Sequence, residues 1–68
     1  MNVKLQLLGK SSGKNGCPAL YSTDRRTYVV QGKLVTDEEA IASLVDVRED
    51  EFYVEIPMDL LRFAVEPE

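Results

Sequence analysis

The chain opens on a segment whose side chains alternate between two faces. In residues 3–8 (VKLQLL), Val3, Leu5 and Leu7 lie on one face and Lys4, Gln6 and Leu8 on the other, which predicts a half-buried β-strand. Residues 9–16 (GKSSGKNG) contain three of the four glycines and little that enters a core. This composition predicts a loop after the first strand.

The next two segments predict a β-hairpin. Residues 18–23 and 27–35 are rich in β-branched and aromatic residues, and they flank the polar triplet that begins at Asp24. A three-residue turn favours a left-handed residue at its end, usually glycine, and Arg26 occupies that place. Gly32 within the second strand predicts a bulge or a bend.

The strongest helix signal spans residues 36–45. Thr36 is a suitable N-cap, and Glu39 three residues later completes a capping box. An apolar stripe then follows at helical spacing. Its members are Ala40, Ile41, Leu44 and Val45.

The last third of the chain predicts a connector, a strand and a second short helix. Residues 46–50 are charged, with Val47 expected to point inward, and residues 51–56 alternate as in a strand. Pro57 ends that strand and opens a helix over residues 58–64, because proline is tolerated in a first helical turn. The residues expected to face the core are Leu60, Leu61 and Ala64.

These elements predict an α+β fold with β-β-β-α-β-α order. We expect a small antiparallel or mixed sheet of about four strands, with one or two short helices, in a single domain over residues 1–68. A domain of this size buries only about 60% of the surface of its unfolded chain. Homodimerisation, or binding to an obligate partner, is therefore expected to add stability.

Charge is divided unevenly along the chain. The net charge is −4, but residues 1–35 carry six cations and one anion, whereas residues 36–68 carry two cations and eleven anions. The first half therefore has a charge of +5 and the second half −9. The sequence predicts two oppositely charged regions rather than a uniformly acidic surface.

The residue inventory argues against an enzyme. The chain has no His and one Cys, so a zinc finger, a histidine-activated nucleophile and an internal disulfide are excluded within it. In residues 9–16 three residues separate Gly9 from Gly13, whereas a nucleotide-binding phosphate loop needs four. We predict no catalytic residue, no metal and no cofactor, and the lone Cys17 favours a cytoplasmic location.

A basic hairpin is the most suggestive candidate binding site. Guanidinium groups bind carboxylates and phosphates bidentately, and basic side chains beside aromatic rings bind nucleic acid. The candidate residues of the hairpin and the preceding loop are Arg25, Arg26, Tyr21, Tyr28, Lys33, Lys10 and Lys14. The alternative is that the tyrosines pack on the sheet while the cations keep an edge soluble.

The predicted helix start supplies a second candidate surface, which is acidic. It consists of Asp37, Glu38 and Glu39, and it suits a basic partner such as the surface of a DNA-binding protein. The acidic run over residues 46–51 lacks the ligand spacing of a calcium loop.

The segment 18–32 (PALYSTDRRTYVVQG), continued by VTDEEAIASL and VEIPMDLL, resembles small uncharacterised acidic proteins of actinobacteria. Such proteins tend to accompany helix-turn-helix regulators. The resemblance implies a cytoplasmic accessory to regulation and carries no catalytic residue.

A second similarity is to the swapped-hairpin transition-state regulators of the AbrB type. Residues 32–36 (GKLVT), a short helix, residues 44–47 (LVDV) and residues 51–56 (EFYVEI) follow the strand–helix–strand rhythm of that family. The resemblance implies a dimer with exchanged strands. The acidic triplet that begins at Asp37 stands where that family carries mixed or basic residues.

The sequence therefore predicts a non-enzymatic protein-interaction or regulatory accessory module. Its expected partner is a protein, with a DNA-binding regulator as one possibility, and a homodimer is plausible. No membrane contact is expected, because the longest apolar runs are far shorter than a membrane span. The alternative is a dimeric nucleic-acid-binding regulator that uses the basic hairpin, although a net charge of −4 opposes phosphate at long range.

Overall fold

The computed structural model describes residues 2–11 and 18–64. The predicted α+β class is confirmed, with one antiparallel sheet of three strands, another of two, a short α-helix and a 3-10 helix. The strands are β1 (Leu5–Lys10), β2 (Ala19–Thr23), β3 (Tyr28–Gln31), β4 (Lys33–Leu34) and β5 (Val54–Glu55). The helices are α1 (Glu38–Ala42) and the 3-10 helix (Met58–Phe63).

The first sheet is a simple meander in which β2 lies between β1 and β3. Its β1–β2 register shifts between Leu7 and Gly9, so Leu8 is the extra residue of a β-bulge. The bulge lets β1 continue through Gly9 to Lys10, whereas the sequence predicted a strand over residues 3–8 and a loop from Gly9. The remainder of that predicted loop, residues 12–16, lies outside the described residues, as does Cys17.

The predicted hairpin between β2 and β3 is confirmed. Thr23 donates its backbone N–H to the carbonyl of Thr27 at 2.9 Å, which closes a three-residue turn. Arg26 has a φ of 62°, as expected for the last residue of such a turn. The turn therefore holds a bulky side chain in the left-handed region.

Gly32 divides what the sequence predicted as one strand into two. β3 ends at Gln31 and stays in the first sheet, whereas β4 pairs with β5 in the second. A Cβ on Gly32 would lie 2.8 Å from Cγ2 of Ile56 and 2.9 Å from the carbonyl oxygen of Glu55. Glycine is required because the second sheet passes directly over this backbone.

The core lies between one face of the first sheet and the 3-10 helix. Leu20 and Leu60 are each 1% exposed, and a Cβ built on Gly9 would overlap the ring of Phe63. A 3-10 helix has three residues per turn, so Leu60 and Phe63 point the same way. Leu61 is 58% exposed.

The prediction that Leu61 and Ala64 also face the core is therefore wrong. That prediction assumed an α-helix, whose 3.6 residues per turn place Leu60, Leu61 and Ala64 on one face. In the 3-10 helix, Leu60 is the buried residue and Ala64 is exposed.

The helix prediction over residues 36–45 is correct in type but wrong in extent and packing. The side chain of Asp37, not Thr36, is the N-cap, since it accepts a hydrogen bond from the backbone N–H of Ala40 at 2.9 Å. The helix ends at Ala42, and none of its residues is buried. The predicted apolar stripe therefore does not enter the core: Ile41 is half-buried, and Val45 beyond the helix is 81% exposed.

The connector and the last strand also differ from the prediction. Val47 is 47% exposed rather than tucked inward, and Phe52 is 85% exposed. The predicted strand over residues 51–56 is reduced to Val54–Glu55 because its partner β4 has only two residues. One further hydrogen bond, from Val35 N–H to the carbonyl of Tyr53 at 3.1 Å, prolongs the pairing.

Candidate functional site

One face of the three-stranded sheet is exposed over part of its length, whereas Ala19 on that same face is buried. Directly opposed residues in antiparallel strands point to the same face, so Leu7, Tyr21 and Val29 form a row across all three strands. Leu5 lies two residues along β1 on that face. Leu5, Leu7 and Val29 are 52%, 50% and 39% exposed. We name this surface, defined by Leu5, Leu7, Tyr21 and Val29, the open face.

The 3-10 helix packs on the other side of the sheet. Leu20 alternates with Tyr21 along β2 and is 1% exposed, and Gly9 opposes it on β1. Phe63 lies against Gly9 on that side. The side chains nearest the 3-10 helix are therefore buried, whereas Leu5, Leu7 and Val29 on the other face are exposed.

A side-chain hydrogen bond fixes the centre of the open face. The hydroxyl of Tyr21 donates to Oε1 of Gln31 at 2.8 Å, along the diagonal of the β2–β3 pair. Ala19 lies directly opposite Gln31, two residues before Tyr21 on the same face, and is 2% exposed. The hydrogen bond therefore joins the tyrosine side chain to the neighbouring strand beside a buried alanine.

Cations stand at both ends of the open face. Lys10 pairs with Ala19 at one end of β2, and Arg25 and Arg26 form the hairpin turn beyond Thr23 at the other end. All three cations are exposed. The four residue steps of β2 separate these ends by about 14 Å, and the exposed apolar residues Leu5, Leu7 and Val29 lie between them, towards the hairpin turn.

The hairpin turn is held by a compact set of hydrogen bonds. Oγ1 of Thr23 accepts from the backbone N–H of Arg25 at 3.0 Å and of Thr27 at 3.2 Å. The two threonine hydroxyls are 2.6 Å apart. Oδ1 of Asp24 accepts from the backbone N–H of Lys4 at 3.3 Å, which ties the chain before β1 to the turn.

Lys4 is a member of this basic end that sequence reasoning missed. Lys4 is far from the turn in the sequence. The antiparallel pairing of two adjacent strands nevertheless predicts that the start of β1 meets the end of β2. Lys4, Arg25 and Arg26 therefore belong to the same end of the sheet.

The structure does not gather the other predicted basic and aromatic residues here. Tyr28 pairs with Ser22, so it lies on the opposite face from Tyr21, and the two rings cannot stack on one ligand. Lys33 lies in the second sheet opposite Glu55. Lys14 lies outside the described residues.

The predicted acidic surface stays together around the start of α1. Asp37 uses its carboxylate to cap the helix, whereas Glu38 and Glu39 are exposed in the first turn. Asp46 follows the helix in the left-handed conformation, with a φ of 55°. Between these acids Leu44 and Val45 are 41% and 81% exposed.

Potential metal ligands are dispersed in the described part of the chain. Within residues 2–11 and 18–64, no three His, Cys, Asp or Glu residues are grouped so that they could hold a metal ion. In the same ranges every buried side-chain nitrogen or oxygen has a hydrogen-bond partner. None of the described helices has the length and apolar character needed to span a membrane.

No protein-family model, curated protein or solved structure matches this chain. The resemblances to actinobacterial accessory proteins and to AbrB-type regulators therefore stay predictions. Within the described residues, the open face and its charged ends are the site with the best-defined geometry.

Proposed function

We propose that this chain is a non-enzymatic protein-interaction module and that the open face binds a protein partner. The observation that carries the proposal is the row of Leu7, Tyr21 and Val29 across the three strands, in which both aliphatic side chains remain substantially exposed. A contiguous apolar surface of this kind marks protein-interaction sites. Because the strands hold the backbone in place, binding needs little ordering of the module itself.

The charged ends of the open face define the chemistry of the partner. Arg25 and Arg26 at one end and Lys10 at the other favour an apolar segment with acidic residues on both flanks. Guanidinium groups bind carboxylates in a bidentate manner, which adds orientation to the apolar contact. In a cell the module would act as a cytoplasmic accessory that presents or masks such a segment of a regulatory protein.

Nucleic-acid binding has less support. The two hairpin arginines are separated from Lys10 by the length of β2, and Tyr21 and Tyr28 lie on opposite faces. A single-strand binder needs a continuous basic groove with aromatic rings along it. A gel-shift assay at low salt, with Arg25→Ala/Arg26→Ala as the control, would reveal nucleic-acid binding if the proposal is wrong.

Site-specific photocrosslinking tests the proposal directly. A benzophenone amino acid replaces Leu7 on the open face or, as the matched control, the neighbouring exposed Gln6 on the other face. After irradiation, alone and in native lysate, we expect a protein adduct from position 7 and little from position 6. Equal labelling from both positions, or no protein adduct from position 7, would overturn the proposed function.

A further inference from the structure

The second half of this chain carries a segment with the chemistry that the open face requires. Residues 37–46 (DEEAIASLVD) place apolar residues between acids at both ends. We infer that in a reciprocal homodimer the open face of each copy is covered by residues 37–46 of the other. The inference rests on the proposed function, because it names the partner of the same surface.

The apolar residues of this segment are incompletely covered by their own chain. No residue of α1 is buried, and Ile41 is only half-buried. Leu44 and Val45 are 41% and 81% exposed. The segment therefore has apolar side chains available to meet Leu7 and Val29 of another copy.

The charges of the two surfaces are complementary at both ends. The open face has Lys10 at one end and the two turn arginines at the other. The segment has Asp37, Glu38 and Glu39 at its start and Asp46 at its end. Whichever way the segment runs along the sheet, acids meet cations at each end, and complementary charge favours the correct pairing.

The lengths also agree. Nine residues from Glu38 to Asp46 would span about 14 Å if the whole segment were helical; α1 ends at Ala42, and one further turn follows through the hydrogen bond from Leu44 N–H to the carbonyl of Ile41. The distance between Lys10 and the hairpin turn is also about 14 Å. Docking on a flat apolar face would also favour continuation of α1 beyond Ala42, because packing of an apolar face supplies most helical stability in proteins.

Reciprocity doubles the buried surface. In a two-fold dimer each chain buries both its open face and its segment, so one type of contact occurs twice. This brings the area closer to the roughly 800 Å² per partner of a standard interface than a single contact would. A second copy therefore fits the open face better than a single short peptide does.

Sedimentation equilibrium of the full chain and of single-lysine variants tests the inference. We expect the unmodified chain to be a dimer, and both Leu7→Lys (open face) and Val45→Lys (segment) to be folded monomers by circular dichroism. Leu61→Lys changes an exposed apolar residue outside both surfaces and should leave the dimer intact. An equimolar mixture of Leu7→Lys and Val45→Lys retains one intact contact, so it should form a weaker heterodimer.

A crosslink identifies the contact itself. The chain with benzophenone at position 7 is mixed with a ¹⁵N-labelled unmodified copy, irradiated and digested with trypsin. We expect adducts on the labelled peptide of residues 34–48, which contains the segment. A monomeric unmodified chain, a dimer that survives Val45→Lys, or a self-adduct elsewhere would overturn the inference.

Photocrosslinking from position 7, in lysate and with the purified chain, separates the two proposals. A lysate adduct from position 7 to a different protein would leave the interaction function standing and remove the homodimer. Failure of position 7 to label any protein, its own copy included, would remove both.

Discussion

Gly9 lies directly against the ring of Phe63, with no room for a β-carbon between them. This contact is where the 3-10 helix meets β1, and it lets the helix approach the sheet closely enough to bury Leu60. Cζ of Arg62 lies 4.9 Å from the centroid of the same ring. The ring therefore contacts both a backbone that carries no side chain and a cation.

Replacing Gly9 with alanine should destabilise the protein by about 1–3 kcal/mol, since overpacking forces the ring or the helix to move. Urea denaturation at one fixed protein concentration measures the change, because dimerisation would make stability depend on concentration. The double variant Gly9→Ala/Phe63→Leu is the control. It should lose much less than the sum of its two single changes, and simple additivity would show that the contact is not the cause.

The second prediction concerns the stability cost of the left-handed conformation of Arg26. Glycine adopts a φ of 62° without the steric cost that a β-carbon imposes, which is about 1–2 kcal/mol. Arg26→Gly should therefore stabilise the protein, by up to about 1 kcal/mol after the greater entropy of glycine in the unfolded chain is included.

Arg26→Ala is the matched control for Arg26→Gly, because it removes the same charge and keeps the β-carbon. Thermal unfolding should rank the glycine variant above both the alanine variant and the unmodified chain. A glycine variant no more stable than the alanine variant would contradict the conformational explanation.

The hairpin could be predicted because its determinants are local. Two β-rich segments, a polar triplet and the known preference of three-residue turns were enough to place Arg26 and its unusual backbone. The sequence likewise predicts a bulge or a bend at Gly32. Its role as the point where the chain leaves one sheet for another depends on β5, which is more than twenty residues away.

The open face could not be predicted, for a different physical reason. Alternation in residues 3–8 shows that Leu5 and Leu7 share a face but does not show which face is covered. That choice is made by the 3-10 helix, which packs on the side of Gly9 and Leu20. The bulge at Leu8, invisible in the hydrophobic pattern, helps to bring Gly9 opposite Leu20.

The packing predicted for the helix over residues 36–45 is wrong for a related reason. Its apolar stripe predicted packing against the sheet, but no residue of α1 is buried in its own chain. Periodicity reports that a segment has an apolar side and not where that side binds. The proposed dimer rests on this apolar stripe, which has acids at both ends and is only partly covered by its own chain.

The third prediction concerns the N-cap of α1, which the sequence assigns to Thr36 and the structure to Asp37. Asp37→Ala removes the carboxylate that accepts from the backbone N–H of Ala40 at 2.9 Å, and it should weaken the helix by about 0.5–2 kcal/mol. Thr36→Ala should have little effect. Because α1 contributes nothing to the buried core, global unfolding will barely report the loss.

Amide hydrogen exchange at Ile41 and Ser43 is the appropriate measurement, since both N–H groups are bonded within this helix. Exchange should accelerate in Asp37→Ala and stay unchanged in Thr36→Ala. Faster exchange in Thr36→Ala than in Asp37→Ala would instead support the capping box of Thr36 and Glu39 that the sequence predicts.

The adjacent leucines Leu60 and Leu61 give the most direct test of the fold. They are chemically identical neighbours, but one is 1% exposed and the other 58%. Leu60→Ala should cost about 2–5 kcal/mol through lost burial and the cavity left behind. A chain of this size has a total stability of only roughly 3–10 kcal/mol, so the variant should be largely unfolded at or below 37 °C.

Leu61→Ala removes the same atoms from a mostly exposed position and should change the free energy of unfolding by less than about 0.5 kcal/mol. Circular dichroism melts of both variants at one concentration give the comparison. Equal destabilisation would mean that residues 58–63 form an α-helix with both leucines packed, as the sequence alone suggested. The large asymmetry expected here follows from the three-residue turn, which brings Leu60 and Phe63 onto the sheet and leaves Leu61 in solvent.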